Sequence, residues 1–268
     1  MFTCIINGRE IPFKGILFDK DGTLLDFLSL WGAWALEVTE LMVKRVEKAG
    51  SNLTVDPRKL LGLILDPDGL VAGYDPTGPV AMATEEQTVG VLTWQLYTAG
   101  VPWNEALRQV KELLSEAMQK VKSERNARPM PGLNELLEQC RQLGIPLGVV
   151  TADRTSEARE HLRWMNLEGY FGTIVGTDRV VQGKPAPDMV FLACTELGLL
   201  PEEVLVIGDS NGDMQMAKAS GAAGAIGFCP GGEADYLLDA EEVIQSYDVI
   251  DLKGAEATYR SKEMKSFE

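Results

Sequence analysis

The sequence contains only four cysteines, Cys4, Cys140, Cys194 and Cys229, and no two of them stand close together. That scatter argues against a thiolate metal site or a disulfide framework, and unpaired thiols suit a reducing compartment. No apolar run is long enough to span a bilayer. The opening stretch MFTCIINGREIPF lacks the basic start and small-residue cleavage site of a secretory leader. A cytoplasmic location is expected. Positive charge is scarce as well: 25 Lys and Arg stand against 40 Asp and Glu, a formal net charge of -15. A field of that sign repels nucleic acid and anionic membranes, so neither is expected as a partner. Internal repeats and low-complexity tracts are missing too. What remains is an ordinary globular composition, 45% apolar and 24% charged over 268 residues, enough for one large domain or two modest ones.

The order of patterns divides the chain. Phe2 to Ile6 and Arg9 to Phe13 flank Asn7-Gly8, a pair suited to a two-residue hairpin turn. The apolar run Gly15 to Phe18 then reads as a buried strand ending on Asp19. From residue 27 to 128 the period is helical. Trp31, Trp34, Ala35, Val38, Leu41, Met42 and Val46 form one stripe closed by Gly50. Asp56-Pro57 predicts a short helix carrying Leu60, Leu61 and Ile64, and residues 66 to 83 read as a long loop. Thr84 and Gln87 have capping-box spacing for a helix ending near Gly100, and Asn104 is the expected cap of the next one.

After Pro129 apolar strands alternate with amphipathic helices: Ile145 to Val150, Thr173 to Val175, Val204 to Ile207 and Ala223 to Phe228. Such alternation predicts an α/β core with a parallel sheet covered on both faces. The expected division is therefore a core of residues 1–26 and 129–268 and an inserted all-helical domain of residues 27–128. The stretch Glu233 to Leu252 is expected to hold a short helix, an edge strand and a final helix, with a frayed tail from Ala255 to Glu268. His161, the one histidine, is expected at the solvent surface, off the stripe of Ala158, Leu162 and Met165.

Four runs carry chemistry: Asp19-Lys20-Asp21-Gly22-Thr23, Thr151, Gly183-Lys184-Pro185, and Gly208-Asp209-Ser210-Asn211-Gly212-Asp213. Asp19, Thr151 and Asp209 each close an apolar strand, and in an open α/β sheet ligands bind outside the carboxyl ends of the strands. A carboxylate such as Asp19 can attack phosphorus, and Asp21 could give and take the proton. Asp209 and Asp213 add hard oxygen ligands that, with Asp19, suit Mg²⁺. Lys184 supplies a point charge for phosphoryl oxygens, and Thr151 a hydroxyl with neighbouring backbone N–H groups. Each run alone could be a turn or a helix cap. All four in order, each at a strand end, point to phosphoryl transfer.

In that order and spacing the runs resemble the four motifs of the haloacid dehalogenase superfamily, across about Gly15 to Phe228. The inserted helices are similar to the cap of its phosphoglycolate phosphatase and β-phosphoglucomutase branch. The resemblance implies a Rossmann-like core, Asp19 as nucleophile and Mg²⁺ ligand, and Asp21 as acid/base with its carbonyl on the metal. It further implies Thr151, Ala152 and Lys184 at the phosphate, Asp209 on Mg²⁺, and Asp213 supporting the metal or Lys184. Ala152 departs from the Asn often found there, which removes one side-chain contact. Asp21 favours phosphate esters over the dehalogenating and phosphonate-cleaving members, which lack an acid at that position. Lys20 is shared with the DKTGT run of P-type cation pumps, but this chain has no membrane span.

The function so implied is Mg²⁺-dependent hydrolysis of a small soluble phosphomonoester, phosphoglycolate-like or a sugar phosphate, through an aspartyl-phosphate. A phosphosugar mutase and a non-catalytic binding protein use the same core. Thr23 stands where the mutases commonly carry a hydrophobic residue, which favours hydrolysis. Within the insert, Tyr74, Thr77 and Met82 of the 66–83 stretch are the candidates for substrate selection.

Overall fold

The computed structural model describes residues 1–232 and 234–254. Asn7 and Gly8 adopt φ of 53° and 83°, the positive pair that lets a two-residue turn follow strand twist. They join β1 (Phe2–Ile6) to β2 (Arg9–Phe13). All four residues of β3 (Gly15–Phe18) are buried, as expected of an apolar strand covered on both faces. Beyond it the chain divides into two compact units, Leu25–Arg128 and a second unit formed by Met1–Leu24 with the chain from Pro129.

The unit Leu25–Arg128 opens with a π-helical turn, Leu28–Gly32, that runs into α1 (Ala33–Lys48). Asp56 caps a single 3-10 turn, Pro57–Lys59, by accepting the Arg58 N–H at 3.0 Å. The helix expected over Leu60, Leu61 and Ile64 does not follow. Instead β4 (Leu63–Leu65) pairs antiparallel with β5 (Val71–Tyr74), Leu63 opposite Tyr74. Leu63 is buried and Ile64 exposed, the alternation of a strand. The insert is helical with this one hairpin added. The stretch expected as a long loop contributes β5 and a one-turn helix, α2 (Pro79–Met82).

The cap of α3 (Glu85–Thr98) is the expected box: Thr84 Oγ1 accepts the Gln87 N–H at 3.2 Å, and Gln87 Oε1 accepts the Thr84 N–H at 2.9 Å. Helix α4 (Trp103–Glu124) is capped by Pro102, with Asn104 inside its first turn rather than at the cap. Val38, Met42, Leu92, Leu96, Val110 and Leu113 from these three long helices form the core of this unit. Its two ends meet, the Asp26 N–H donating to the Arg128 carbonyl at 2.8 Å.

In the other unit the chain continues through α5 (Leu133–Leu143), β6 (Leu147–Val150), α6 (Thr155–Trp164), β7 (Thr173–Val175), α7 (Asp188–Leu197) and β8 (Val204–Gly208). It ends with α8 (Asn211–Ser220), β9 (Gly224–Phe228), β10 (Glu242–Ile244) and β11 (Asp251–Lys253). Six strands form one sheet in the order β10-β9-β8-β3-β6-β7, and every neighbouring pair is parallel. This is the parallel α/β sheet that the alternation of strands and helices implied, and the Rossmann-like core that the resemblance implied. From β3 the chain builds outward through β6 and β7, then returns to the other side of β3 with β8. The strand order therefore reverses at β3, which opens a crevice at the carboxyl ends of β3 and β8.

Of the final helix expected before Leu252 only a 3-10 turn forms, Tyr247–Val249, and the short helix expected earlier in this stretch is absent among the described residues 234–241. Leu252 is buried between exposed Asp251 and Lys253, a period of two, and β11 pairs antiparallel with β1 to give the sheet β11-β1-β2. The tail Ala255–Glu268 lies outside the described residues. Among the described residues, no helix is long and apolar enough to cross a membrane.

Candidate active site

Asp19 extends β3 by one residue: its N–H donates to the Ile207 carbonyl of β8 at 2.8 Å. Asp209 follows the last residue of β8, and Thr151 the last residue of β6. With Phe18 level with Ile207 on one side and Val149 on the other, three neighbouring strands deliver these residues to one edge.

Two glycines make room for the acids. Gly22 has φ of 77°, and a Cβ there would stand 2.0 Å from Asp209 Oδ2. A Cβ on Gly208 would lie 2.4 Å from the carboxyl carbon of Asp213. Neither position can carry a side chain without displacing a carboxylate.

Asp213 lies in the first turn of α8, 1% exposed at its side chain. Its Oδ2 accepts from the Ser210 hydroxyl at 2.6 Å and the Ser210 N–H at 3.1 Å, while the Ser210 oxygen accepts the Asp213 N–H at 3.3 Å. This reciprocal cap fixes the carboxylate and turns Oδ1 toward Lys184. Lys184 forms short ion pairs with both Asp19 and Asp213. Asp19, Asp209 and Asp213 each present an oxygen, all within 4.8 Å of one another. The Thr23 hydroxyl donates to Asp209 Oδ1 at 3.4 Å.

Burial lifts the Asp19 carboxyl to about 7; Lys184 opposes the rise, and Asp213 and Asp21 add to it. Asp209 is pushed well above the usual carboxylate range by burial, then by Asp19 and Asp213. Burial disfavours charge on Lys184, but the two carboxylates outweigh it and hold the ammonium above its ordinary value. Three carboxylates share one ammonium, so the cluster gains from a further positive charge. Its all-oxygen donor set fits a hard divalent cation.

Asp21 points elsewhere, into a short ion pair with Lys20, whose side chain is 0% exposed. Lys20 also reaches Asp153 Oδ2 at 3.1 Å, and His161 Nδ1 lies 3.5 Å from the same oxygen. His161 is 2% exposed, contrary to the expectation of a surface residue. It lies three residues after Ala158 and four before Met165, on the same helix face as both, and that spacing was the available signal. The Asp153 N–H donates to Thr151 Oγ1 at 3.2 Å. Lys20, Asp153 and Ser210 had no assigned role in the sequence pattern. Ser210 could have been found from its three-residue spacing to Asp213. Ala152 is exposed beside buried Thr151. Tyr74, Thr77 and Met82 belong to the other unit. There Tyr74 stacks on Phe27 at 4.2 Å, the Thr77 hydroxyl donates to Asp75 at 2.7 Å, and Met82 is exposed.

Residues 13–221 match the haloacid dehalogenase-like hydrolases. The chain belongs to that family. Phosphoglycolate phosphatase of Escherichia coli is 28% identical to this hydrolase over 236 residues, 87% of this chain and 89% of the relative. That of Salmonella typhimurium is 28% identical over 238 residues, 88% and 90% of the two chains. Among solved structures, a Thermotoga maritima protein described as a beta-phosphoglucomutase is similar with a TM-score of 0.63 and 25% identity, covering 88% of this chain and 96% of that one. A Haemophilus somnus protein described as a phosphoglycolate phosphatase shares the fold with a TM-score of 0.62 at 18% identity, over 87% and 94% of the chains. The hydrolase is thus distantly related to phosphoglycolate phosphatases and β-phosphoglucomutases, and its aspartate triad, buried at Asp19 and Asp213 and half-buried at Asp209, could hold a metal ion.

Proposed function

We propose that this hydrolase is a Mg²⁺-dependent phosphatase acting on a small soluble phosphomonoester, phosphoglycolate-like or a sugar phosphate. The observation that carries this is Lys184 bridging Asp19 and Asp213, with Asp209 in the same cluster, at the strand ends where the sheet order reverses. An Asp19 oxygen attacks phosphorus in line with the ester bond. As that P–O bond breaks, its electron pair stays on the leaving oxygen, which takes a proton from Asp21. The aspartyl-phosphate is then cleaved at phosphorus by water, which gives a proton back to Asp21. Lys184 faces the equatorial phosphoryl oxygens, and Thr151 and the Ala152 backbone bind the phosphate. Asp19, the Asp21 carbonyl and Asp209 would hold Mg²⁺, with Asp213 supporting that site or Lys184. Bound there, Mg²⁺ supplies the positive charge that a protein of net charge -15 needs to accept an anion.

The likeness to the Thermotoga maritima protein favours a second reading, phosphosugar mutase. Polar Thr23, hydrogen-bonded to Asp209, supports hydrolysis instead. A panel of phosphorylated metabolites, incubated with Mg²⁺ and followed for free phosphate, tests the proposal. Phosphate release from a small metabolite is expected. Conversion of glucose 1-phosphate to glucose 6-phosphate without release would favour the mutase. Neither activity would leave a binding protein.

A further inference from the structure

Lys20 is the most unusual side chain near the site. A fully buried lysine is rare unless paired, and an ion pair in the interior is weak evidence of stability, because desolvation offsets much of the attraction. An apolar residue would suit a buried position at least as well. Lys20 is instead held between two carboxylates, Asp21 and Asp153. Asp153 is fixed in turn from two directions. Its N–H donates to Thr151 Oγ1 at 3.2 Å, and His161 on α6 lies 3.5 Å from its Oδ2. The His161 ring packs against Trp164, centroids 5.0 Å apart, so the chain of contacts ends on a helix rather than a loop. Burial pushes the Asp153 carboxyl up, but the Lys20 charge and His161 outweigh it and hold the group at about 2, so it stays an anion facing Lys20.

We propose that Lys20, Asp153 and His161 form a buried positioning chain that fixes the Asp21 carboxyl for proton transfer to the leaving oxygen. The proposal rests on the reading of Asp21 as acid/base. Asp21 follows a strand end on a turning loop, where a short acid side chain has several rotamers open to it. The Lys20 ammonium engages Asp21 Oδ1 and so narrows the orientations of the carboxyl that moves the proton when the P–O bond breaks. Because Asp153 also holds Thr151, one network aligns the proton donor with the hydroxyl at the neighbouring strand end. None of the three touches the reacting atoms. They act through Asp21, and their removal weakens acid catalysis without removing the nucleophile.

Acid catalysis matters most for a poor leaving group, which gives the test. The value of kcat/KM is measured with phenyl phosphate and with p-nitrophenyl phosphate, two esters of nearly one shape. Phenolate needs the proton far more than nitrophenolate does. The proteins are wild type, Asp21→Asn, Asp153→Asn, Lys20→Met and the double variant Lys20→Met/Asp153→Asn, which leaves no unpaired buried charge if Lys20→Met does not fold. Asp153→Asn and the Lys20 variants should lose at least tenfold more on phenyl than on p-nitrophenyl phosphate, in the same direction as Asp21→Asn. Equal losses on both esters, no loss, or failure of both Asp153→Asn and the double variant to fold would overturn the proposal and leave the network a structural one. If Asp21→Asn itself shows no difference between the esters, the acid/base reading fails, a result separate from failure of the positioning chain.

Discussion

The phenol of Tyr247 donates a buried 2.9 Å hydrogen bond to the main-chain carbonyl of Thr23, across 224 residues of sequence. Its ring stacks on Phe228 with centroids 4.5 Å apart and meets Phe18 edge-on at 6.5 Å. The last described segment of the chain therefore fastens the loop that carries Asp21 and Gly22. Tyr247→Phe keeps the ring contacts and leaves a buried carbonyl without this donor. The expected cost is about 1–2 kcal/mol of stability, read as a lower urea midpoint at unchanged slope. A midpoint equal to wild type would show that the hydrogen bond contributes nothing.

Gly22 and Asp209 set a second expectation. Ala at position 22 meets both a positive φ and a carboxylate oxygen 2.0 Å away, so Asp209 must move. Gly22→Ala should lower kcat by about 100-fold, the scale of an ångström-sized misplacement in a site, with helix content by circular dichroism unchanged. Near-native turnover would mean that the position of Asp209 is not critical.

The acid cluster predicts how metal binding depends on pH. Asp19, lifted to about 7 by burial and by neighbouring carboxylates despite Lys184, binds its proton more tightly folded than unfolded. Between the ordinary carboxylate range and about 7 the folded state holds the extra proton. This group's contribution to the stability of the metal-free protein therefore falls as pH rises through that window. Mg²⁺ competes for the same oxygens, so its affinity should weaken about tenfold per pH unit below 7, with protons released on binding. Titration calorimetry at pH 8 and pH 6 checks this, and equal affinities at the two pH values would contradict it.

We propose that the unit Leu25–Arg128 selects the substrate, and Met82 offers the clearest test. Tyr74 is engaged by Phe27, and Thr77 by Asp75, so changing either confuses specificity with local structure. Met82 is 60% exposed. Met82→Ala should raise KM for the preferred metabolite severalfold while leaving p-nitrophenyl phosphate hydrolysis within about twofold, the small effect usual for an exposed position. Equal change for both substrates would remove Met82 from the specificity set.

The elements that were legible in the sequence are those fixed by local chemistry. Asn7-Gly8 specified its turn, Thr84 and Gln87 their capping box, and the uniformly apolar runs ending at Asp19, Thr151 and Asp209 their strands. Ile64 was misread because a short apolar run fits a helix or a strand equally, and the pairing with β5 that decides it is not local. Asn104 is a good cap by type, but Pro102 already holds the extended conformation required there. Three of the four chemical runs were visible because Asp19, Thr151 and Asp209 close apolar strands, whereas Lys184 lies beyond the turn that follows β7 and was legible from its order among the motifs. Lys20, Asp153 and His161 were not, because their meaning lies in burial. A lysine between two acids looks like a solvated charge until the fold encloses it.

The central claim is that Asp19 itself carries the phosphoryl group. The direct measurement is acid quench of a millisecond reaction with a ³²P-labelled substrate and Mg²⁺, followed by peptide mapping of the protein-bound label. The label should be hydroxylamine-labile, lie on the peptide containing Asp19, and vanish in Asp19→Asn together with phosphate release. Label on any other residue, or a folded Asp19→Asn protein that still releases phosphate at a near-native rate, would contradict it.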